Sequence, residues 1–572
     1  GLIMTAGNNQ RTMIINGMPV PIEGEKNILD VIRKAGFDMP TLCYYSKLST
    51  YGACRMCIVE DKKGTIMASC STPPRAGMEI KTNTPRLQEY RKMILELMLA
   101  DHNRDCITCE KRSNCQLQEL AARFGVDKVR FETYSMDGTI DDSSPAIIRH
   151  PDKCILCGDC VRMCDEIQNV GAIDFVHRGS KMNVEAAFNM PLAESNCVNC
   201  GQCAAVCPTA AITIRSDVQR VWEMLNDDNI IVQAQIAPAV RVALGDEFGI
   251  PKGTNVMGKM VAVMRKMGFD EVYDTATGAD LTVMEESAEL LERLKTGEKL
   301  PLLTSCCPAW FKYVETFHPD LKENVSSCKS PMEMFGAVLK EKAANEGLNV
   351  GNKAKKTKVI AVMPCTAKKY EVKRDEFNYG DEPAVDISIT TQELAAMIRE
   401  AGLRFEEILP EAVDTPFSIA SGAGIIFGVT GGVTEAVIRA IAGNDRAAVE
   451  QIAFTGVRGF DGVKEVKVPY GERELSIAIV SGLRNAENLL NAVKAGEVYY
   501  DFIEVMACRG GCIAGAGQPF DPKNMAREER ATGMYDTDRM TSVRVSQNNP
   551  ITDALYDGIL KGHNAHRLLH YK

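Results

Sequence analysis

The sequence predicts a multidomain protein, α+β in its first part and α/β beyond it. Three observations carry this. The chain has 572 residues, more than one hydrophobic core usually serves, so three or four domains are expected. Cysteines crowd the first 216 residues in close arrays and then become sparse. From about residue 217, short apolar runs alternate with helical patterns, which argues for parallel sheets covered by helices. The strand candidates are Ile230–Ile236, Leu300–Thr304, Val359–Met363 and Ile477–Val480.

Composition narrows the class. No apolar run reaches the ~18 residues of a spanning helix, and the start lacks the charged-then-apolar pattern of a signal peptide. A net charge of −10 argues against nucleic-acid or membrane-surface binding. The 21 cysteines lie mostly in C-x2-C arrays, whereas disulfide frameworks belong to short secreted chains. Metal chemistry in a reducing cytoplasm is the expectation.

In residues 1–81, Met13-Ile-Ile-Asn-Gly-Met-Pro-Val20 reads as a hairpin, with Asn16-Gly17 suited to a type I′ turn. Asn27 then caps a short helix through Ile32. Cys43, Cys54, Cys57 and Cys70 follow, and four thiolates in a small loop-rich domain can hold a [2Fe–2S] cluster. Zinc also accepts four cysteines and is the competing reading. Residues 82–139 open with a helix whose stripe Leu87, Tyr90, Ile94, Leu97 and Met98 is expected to be core. It ends at Asp101-His102, and His102, Cys106, Cys109 and Cys115 form an array with imidazole as the unusual fourth ligand.

Residues 140–216 hold an internal repeat: Cys154, Cys157, Cys160 and Cys164 recur in the same spacing as Cys197, Cys200, Cys203 and Cys207. This is the bacterial two-cluster run, whose fourth cysteine ligates the other cluster. One [4Fe–4S] cluster is therefore expected on Cys154, Cys157, Cys160 and Cys207. The other is expected on Cys197, Cys200, Cys203 and Cys164.

Residues 217–572 are organised around Leu300-Pro-Leu-Leu-Thr-Ser-Cys-Cys-Pro-Ala-Trp310. A short strand there delivers Cys306 and Cys307 to its carboxyl end, where open α/β sheets bind ligands, and Pro308 suits the first turn of a following helix. Val359-Ile-Ala-Val-Met-Pro-Cys365 repeats the construction, and Cys508-Arg-Gly-Gly-Cys512 adds two thiols in a glycine-rich run. Two decoys are set aside. Gly253–Met260 lacks the Ser/Thr of a phosphate-binding loop, and Gly422-Ala-Gly424 with Gly428 misses the dinucleotide spacing. Those glycines are expected to let backbone approach a bulky cofactor.

The three cysteine segments resemble the signature motifs of the iron-only ([FeFe]) hydrogenases. The resemblance implies a β-grasp [2Fe–2S] domain, a histidine-ligated [4Fe–4S] domain, a bacterial 2[4Fe–4S] ferredoxin domain and a two-lobed α/β catalytic domain. The stretch around Asn548-Asn-Pro550 and His566–His570 looks like the family's small-subunit portion. By the same resemblance Cys307, Cys365, Cys508 and Cys512 hold a [4Fe–4S] cubane bridged through Cys512 to a diiron unit with carbon monoxide, cyanide and azadithiolate. Together these form the H-cluster, beside three further [4Fe–4S] clusters and one [2Fe–2S]. Lys368 and backbone near Pro238 and Ala239 would donate to cyanide; Met363, Phe427 and Met506 would line the pocket; Lys369 is expected to be solvated.

Glu286, Glu289 and Arg293 share one helix face. The resemblance turns them, with Cys306 and Ser326, into a proton relay Cys306–Glu286–Ser326–Glu289 with Arg293 at the mouth. The thiol of Cys306 is expected to exchange its proton near neutral pH without large perturbation. Implied partners are ferredoxin or flavodoxin, H2 and protons, and maturation proteins for the diiron unit. Departures from the commonest family pattern are Arg509, Ala516, Ala239, Thr434, Met332 and Cys328. A sensory hydrogenase or a hydrogenase-like iron–sulfur assembly factor is the alternative.

Overall fold

The structure, a computed structural model, describes residues 11–132, 138–347, 355–443, 446–452, 455–521 and 526–572. β1 (Thr12–Ile15) and β2 (Met18–Pro21) form the expected hairpin, with Asn16 and Gly17 both at positive φ, as a type I′ turn requires. In α1 (Ile28–Lys34), Asn27 accepts the Asp30 N–H as cap, and Ile28, Leu29, Val31 and Ile32 are buried. With β3 (Ile58–Asp61), β4 (Ile66–Ala68) and β5 (Glu79–Lys81) the hairpin makes a mixed sheet ordered β2-β1-β5-β3-β4, sharing a core with α1.

Helix α2 (Pro85–Ala100) ends at Asp101 as expected, but its inward line is Leu87, Arg91 and Leu95. The expected stripe is thus only partly core: Leu97 is 51% exposed. Residues 87, 91 and 95 follow the i, i+4 repeat of one face. At its centre Arg91 donates to the carbonyls of Met56, Ile58 and Thr82 at 2.6–3.0 Å, so a guanidinium takes a place the pattern reserved for an apolar residue. After α3 (Gln116–Arg123), the cysteine repeat folds around α4 (Asp159–Arg162) and α5 (Gln202–Val206), each starting at a left-handed glycine. β6 (Ile147–Arg149), β7 (Asp174–Val176), β8 (Asn183–Glu185) and β9 (Ile212–Ile214) form two antiparallel ribbons, β6–β9 and β7–β8.

Beyond α6 (Val218–Leu225) come two four-stranded sheets. The first comprises β10 (Ile230–Ile236), β11 (Glu271–Asp274), β13 and β16; the second comprises β12 (Leu302–Leu303), β17, β18 and β19. Their later strands are β13 (Lys356–Met363), β16 (Ile387–Thr390), β17 (Val463–Tyr470), β18 (Arg473–Ser481) and β19 (Phe502–Met506); β14 (Asn378–Tyr379) and β15 (Glu382–Pro383) make a separate ribbon. The first sheet, ordered β11-β10-β13-β16, is wholly parallel. The second, β12-β19-β18-β17, is parallel except for the β17–β18 hairpin. The expected strand Leu300–Thr304 shrinks to two residues, since Pro301 has no N–H to give a ladder.

The covering helices are α7 (Met257–Met267), α8 (Ala276–Thr296), α9 (Pro308–Phe317), α10 (Pro331–Glu346), α11 (Lys368–Glu371), α12 (Thr391–Glu400), α13 (Gly422–Ile425), α14 (Gly432–Ala442), α15 (Arg446–Ile452) and α16 (Leu483–Lys494). A final trio, α17 (Ala526–Met540), α18 (Pro550–Asp557) and α19 (His563–Leu569), is tied to them by buried charge. Asp538 accepts from Arg439 at 2.8 Å, and Asp280 of α8 accepts from Ser546 and Asn549 at 2.8 Å. The two decoy glycines serve this packing and not a cofactor. A Cβ on Gly422 would strike Asp538 and one on Gly424 the Ala276 carbonyl. Only Gly428 borders the cavity described next.

Candidate active site

The carboxyl ends of strands from both sheets meet at one cavity of about 80 Å³. β10 runs into Pro238 and Ala239, β13 into Met363 and Cys365, β12 into Cys306 and Cys307, and β19 into Met506 and Cys508; all of them line it. Cys307 stands at the N-cap of α9 with Pro308 at its first turn, as the sequence predicts. Cys512 completes the thiol set, brought in by Gly511 at φ 87°, where a Cβ would lie 2.5 Å from the Thr430 nitrogen. Only glycine fits there. The lining is otherwise apolar, with Phe427 and Met332 on it and Lys368 as its one cation.

The donor set suits an iron–sulfur group. Each cysteine of the chain is free of disulfide. Burial, and then Cys365, Cys307 and Cys200, push the Cys508 thiol well above its usual range. Thiolates gathered in such a place need a cationic centre among them. The earlier arrays behave alike. Cys154, Cys157, Cys160 and Cys207 line one small cavity, and burial followed by Cys200, Cys197 and Cys164 raises the Cys203 thiol. Cys207 thus shares a cavity with Cys154, Cys157 and Cys160, and Cys164 lies near Cys197, Cys200 and Cys203. Burial lowers His102 to about 4, and its Nδ1 has no hydrogen-bond partner, so a neutral ring nitrogen is available as a ligand.

Lys368 is 8% exposed. Burial works against its charge, but Glu371, at 2.6 Å, and the Cys365 and Cys306 thiols outweigh it and hold the ammonium above its usual range. Its Nζ also donates to the Cys306 carbonyl at 3.3 Å. Lys369 is not solvated: it is 2% exposed and bonded to Asp217 at 2.8 Å and Glu393 at 3.0 Å. Successive helical residues diverge by about 100°. Here the second direction also points inward, across the seam to residue 217.

On α8, Glu286 is fully buried and neither carboxylate oxygen has a hydrogen-bond partner. Burial, then Glu289 and Glu504, push it up to about 8. Burial and then Glu286 raise the Cys306 thiol well above its usual range, which corrects the expectation of an unperturbed thiol. Ser326 donates to Glu289 at 2.7 Å, and Arg293 pairs with Glu289 at 2.5 Å. Ser326, Glu289 and Arg293 are joined by these bonds, Ser326 Oγ also accepts the Cys328 N–H at 3.2 Å, and neither oxygen of Glu286 is bonded to them.

Residues 230–516 match the family model described as iron only hydrogenase large subunit, C-terminal domain. The chain is 42% identical over 576 aligned residues to the NADP-reducing hydrogenase subunit HndD of Solidesulfovibrio fructosivorans, covering 98% of each chain. The chain belongs to the iron-only hydrogenase family. Iron hydrogenase 1 of Clostridium pasteurianum is 33% identical, with 98% of this chain and 99% of that one aligned (575 residues). The structure of apo [FeFe]-hydrogenase HydA1 from Chlamydomonas reinhardtii, in a variant form, superposes with a TM-score of 0.53 at 35% identity, over 62% of this chain and 98% of that one. Further family models cover a 2Fe-2S iron-sulfur cluster binding domain at 9–85, an NADH-ubiquinone oxidoreductase-G iron-sulfur binding region at 91–130, a 4Fe-4S dicluster domain at 153–211 and an iron hydrogenase small subunit at 524–572. The protein is an oxidoreductase acting on hydrogen, with iron–sulfur clusters and an H-cluster.

Several residues of this hydrogenase site carry no signal in the sequence. Gln202 Nε2 donates to Cys508 Sγ at 3.1 Å and to the Ala514 carbonyl at 3.2 Å, and Thr366 Oγ1 donates to the Asn199 carbonyl at 2.8 Å. These bonds seat the second cysteine repeat on the candidate cluster thiols across 167 to 312 residues of chain. At the other end, Arg162 Nη2 donates to the Cys43 carbonyl at 3.0 Å and Lys111 Nζ to the Cys207 carbonyl at 2.5 Å. Among the described residues no helix is long and apolar enough to cross a membrane.

Proposed function

We propose that this chain interconverts protons and electrons with H2 reversibly, at a buried H-cluster supplied through the N-terminal iron–sulfur domains. One observation carries the reading: five cysteines from three distant segments converge with Lys368 on an apolar cavity at the strand ends. When bound there, the H-cluster supplies the redox chemistry of H2. Cys307, Cys365, Cys508 and Cys512 would hold it. Lys368, fixed by Glu371, presents a charged donor to acceptor groups, and Met363, Phe427 and Met506 exclude water. Cys306 and Glu286, both neutral at pH 7 in this setting, hold transferable protons, and Glu289 with Ser326 continues the route outward.

The domain division 1–81, 82–139, 140–216 and 217–572, with a β-grasp first domain, is part of the same proposal. So is the ligand assignment: [2Fe–2S] on Cys43, Cys54, Cys57 and Cys70; [4Fe–4S] on His102, Cys106, Cys109 and Cys115; and the two cross-paired ferredoxin sets. In this arrangement the first two domains both abut the Cys154–Cys207 set, and the Cys197–Cys203 set abuts Cys508. Two entry points would thus feed one wire, in a cytoplasmic protein whose electron partner is ferredoxin or flavodoxin. The relative from Solidesulfovibrio fructosivorans is named NADP-reducing and a subunit, which favours a second reading: a nicotinamide-reducing partner chain receives the electrons.

The test is infrared spectroscopy and H2 turnover of matured protein. Bands of iron-bound CO and cyanide that persist in Cys306→Ser, with turnover down at least ~100-fold, are expected; near-native turnover in that variant would remove the relay. H2-driven reduction of ferredoxin by the purified chain separates the two partners. A chain that reduces ferredoxin only after a nicotinamide-binding partner is added favours the second.

A further inference from the structure

Glu289 has two sets of neighbours. On one side it accepts from Ser326. On the other it accepts the Ser327 N–H at 3.1 Å and lies 3.3 Å from the Ser327 hydroxyl. Ser327 Oγ is 2.8 Å from His570 Nδ1, and His570 Nε2 is 2.8 Å from Glu285 Oε2. Glu285 lies one turn before Glu289 on α8, and its other oxygen is bonded by Tyr556 of α18. The exposed His566 stacks on His570, ring centroids 5.1 Å apart. An unbroken hydrogen-bonded run therefore leads from Glu289 through Ser327 and His570 to the partly exposed Glu285.

Arg293 cannot do this work. Its Nη1 donates to the carbonyls of Lys299 and Asn324, and its Nη2 to Glu289 and the Val325 carbonyl. A guanidinium has no acceptor and keeps its protons; here it shapes and shields Glu289. Histidine accepts and releases a proton between pH 5 and 8.

We propose that His570 is the group that exchanges protons between Glu289 and water, so that the small-subunit segment completes the proton route. The inference rests on Glu289 being a relay member. In the neutral ring Nε2–H donates to Glu285, which leaves Nδ1 to accept. As the Glu289 O–H breaks, its proton passes to Ser327 Oγ, the Ser327 proton passes to Nδ1, and an imidazolium forms against the Glu285 carboxylate. Loss of the Nε2 proton to water by way of Glu285 leaves a neutral ring with its proton on Nδ1; exchange of that proton with water, reprotonation of Nε2 and rotation of the Ser327 hydroxyl restore the accepting form. The groups facing His570 are Glu285 and, through Ser327, Glu289 from α8, Tyr556 from α18, His566 from its own helix, and Cys328 across a β-bridge.

The experiment compares His570→Gln and Ser327→Ala with Cys306→Ser in matured full-length protein. In His570→Gln, turnover is expected to fall about tenfold, the shape of the pH profile to change, and added imidazole to restore much of the loss, with CO and cyanide bands unchanged. In the unmatured full chain, labelled at its seven histidines, nitrogen NMR should show His570 Nδ1 as an acceptor that changes its resonance in Ser327→Ala. Native turnover in His570→Gln overturns the proposal, and so does a loss that neither imidazole nor pH alters. An inactive Cys306→Ser beside a native His570→Gln sinks this branch alone; a near-native Cys306→Ser sinks the relay on which it rests.

Discussion

Glu286 lies inside the protein with two unpartnered oxygens, and its environment makes a stability prediction as well as a functional one. The native carboxyl keeps its proton up to about 8, while the unfolded chain loses it at the ordinary carboxyl value. The folded state therefore binds the extra proton between those limits, and stability falls as pH rises through that window. Glu286→Gln removes the ionisation. The variant is expected to melt close to the native protein near pH 5 and to be more stable by on the order of 5 kcal/mol above pH 8, read by thermal unfolding at both pH values. The same variant should lose most H2 turnover, because an amide cannot pass a proton. Lys369 gives the converse case. Lys369→Ala leaves Glu393 without its cation and Asp217 with Arg220 alone, and is expected to cost about 3–5 kcal/mol, measured by denaturant unfolding of the mature protein.

Among elements, α8 carries the most. It presents Glu285, Glu286, Glu289 and Arg293, and Asp280 binds the small-subunit segment to it. Its crossing with α10 is close because residue 278 is glycine: a Cβ there would lie 2.2 Å from the Pro331 carbonyl. Gly278→Ala must part the two helices, an overpacking expected to cost about 1–3 kcal/mol. It would also move Glu289 off Ser326. Turnover should fall while iron content and CO bands stay native; unchanged turnover would show that the helix spacing does not set the relay.

Over the whole molecule the prediction is inventory and docking. The ligand sets imply about twenty irons in matured protein; iron analysis near half that number would contradict them. Residues 1–81 hold ten Lys and Arg against seven Asp and Glu, although the chain as a whole is at −10. An acidic carrier should therefore be steered to this end, and ferredoxin-linked turnover should fall as salt rises. Turnover insensitive to both salt and removal of residues 1–81 would rule the docking site out.

Thiol spacing, the Asn16-Gly17 turn, the Asn27 cap and the strand Ile230–Ile236 were legible in the sequence, because each is set by residues close together along the chain. The cysteine segments at 306–307, 365 and 508–512 were legible for the same reason, and with them the family. What tertiary structure decided is the state of the groups between those segments. Whether Glu286 is a solvated acid or a buried one, whether Lys369 faces water, and whether Leu97 is core depend on what packs opposite. Gln202 on Cys508 and His570 on Ser327 are contacts between residues hundreds of positions apart, for which one chain's local pattern holds no record. Local propensity and ligand spacing act over a few residues, whereas desolvation and hydrogen-bond pairing, which set proton affinity, exist only once distant segments have closed around the group.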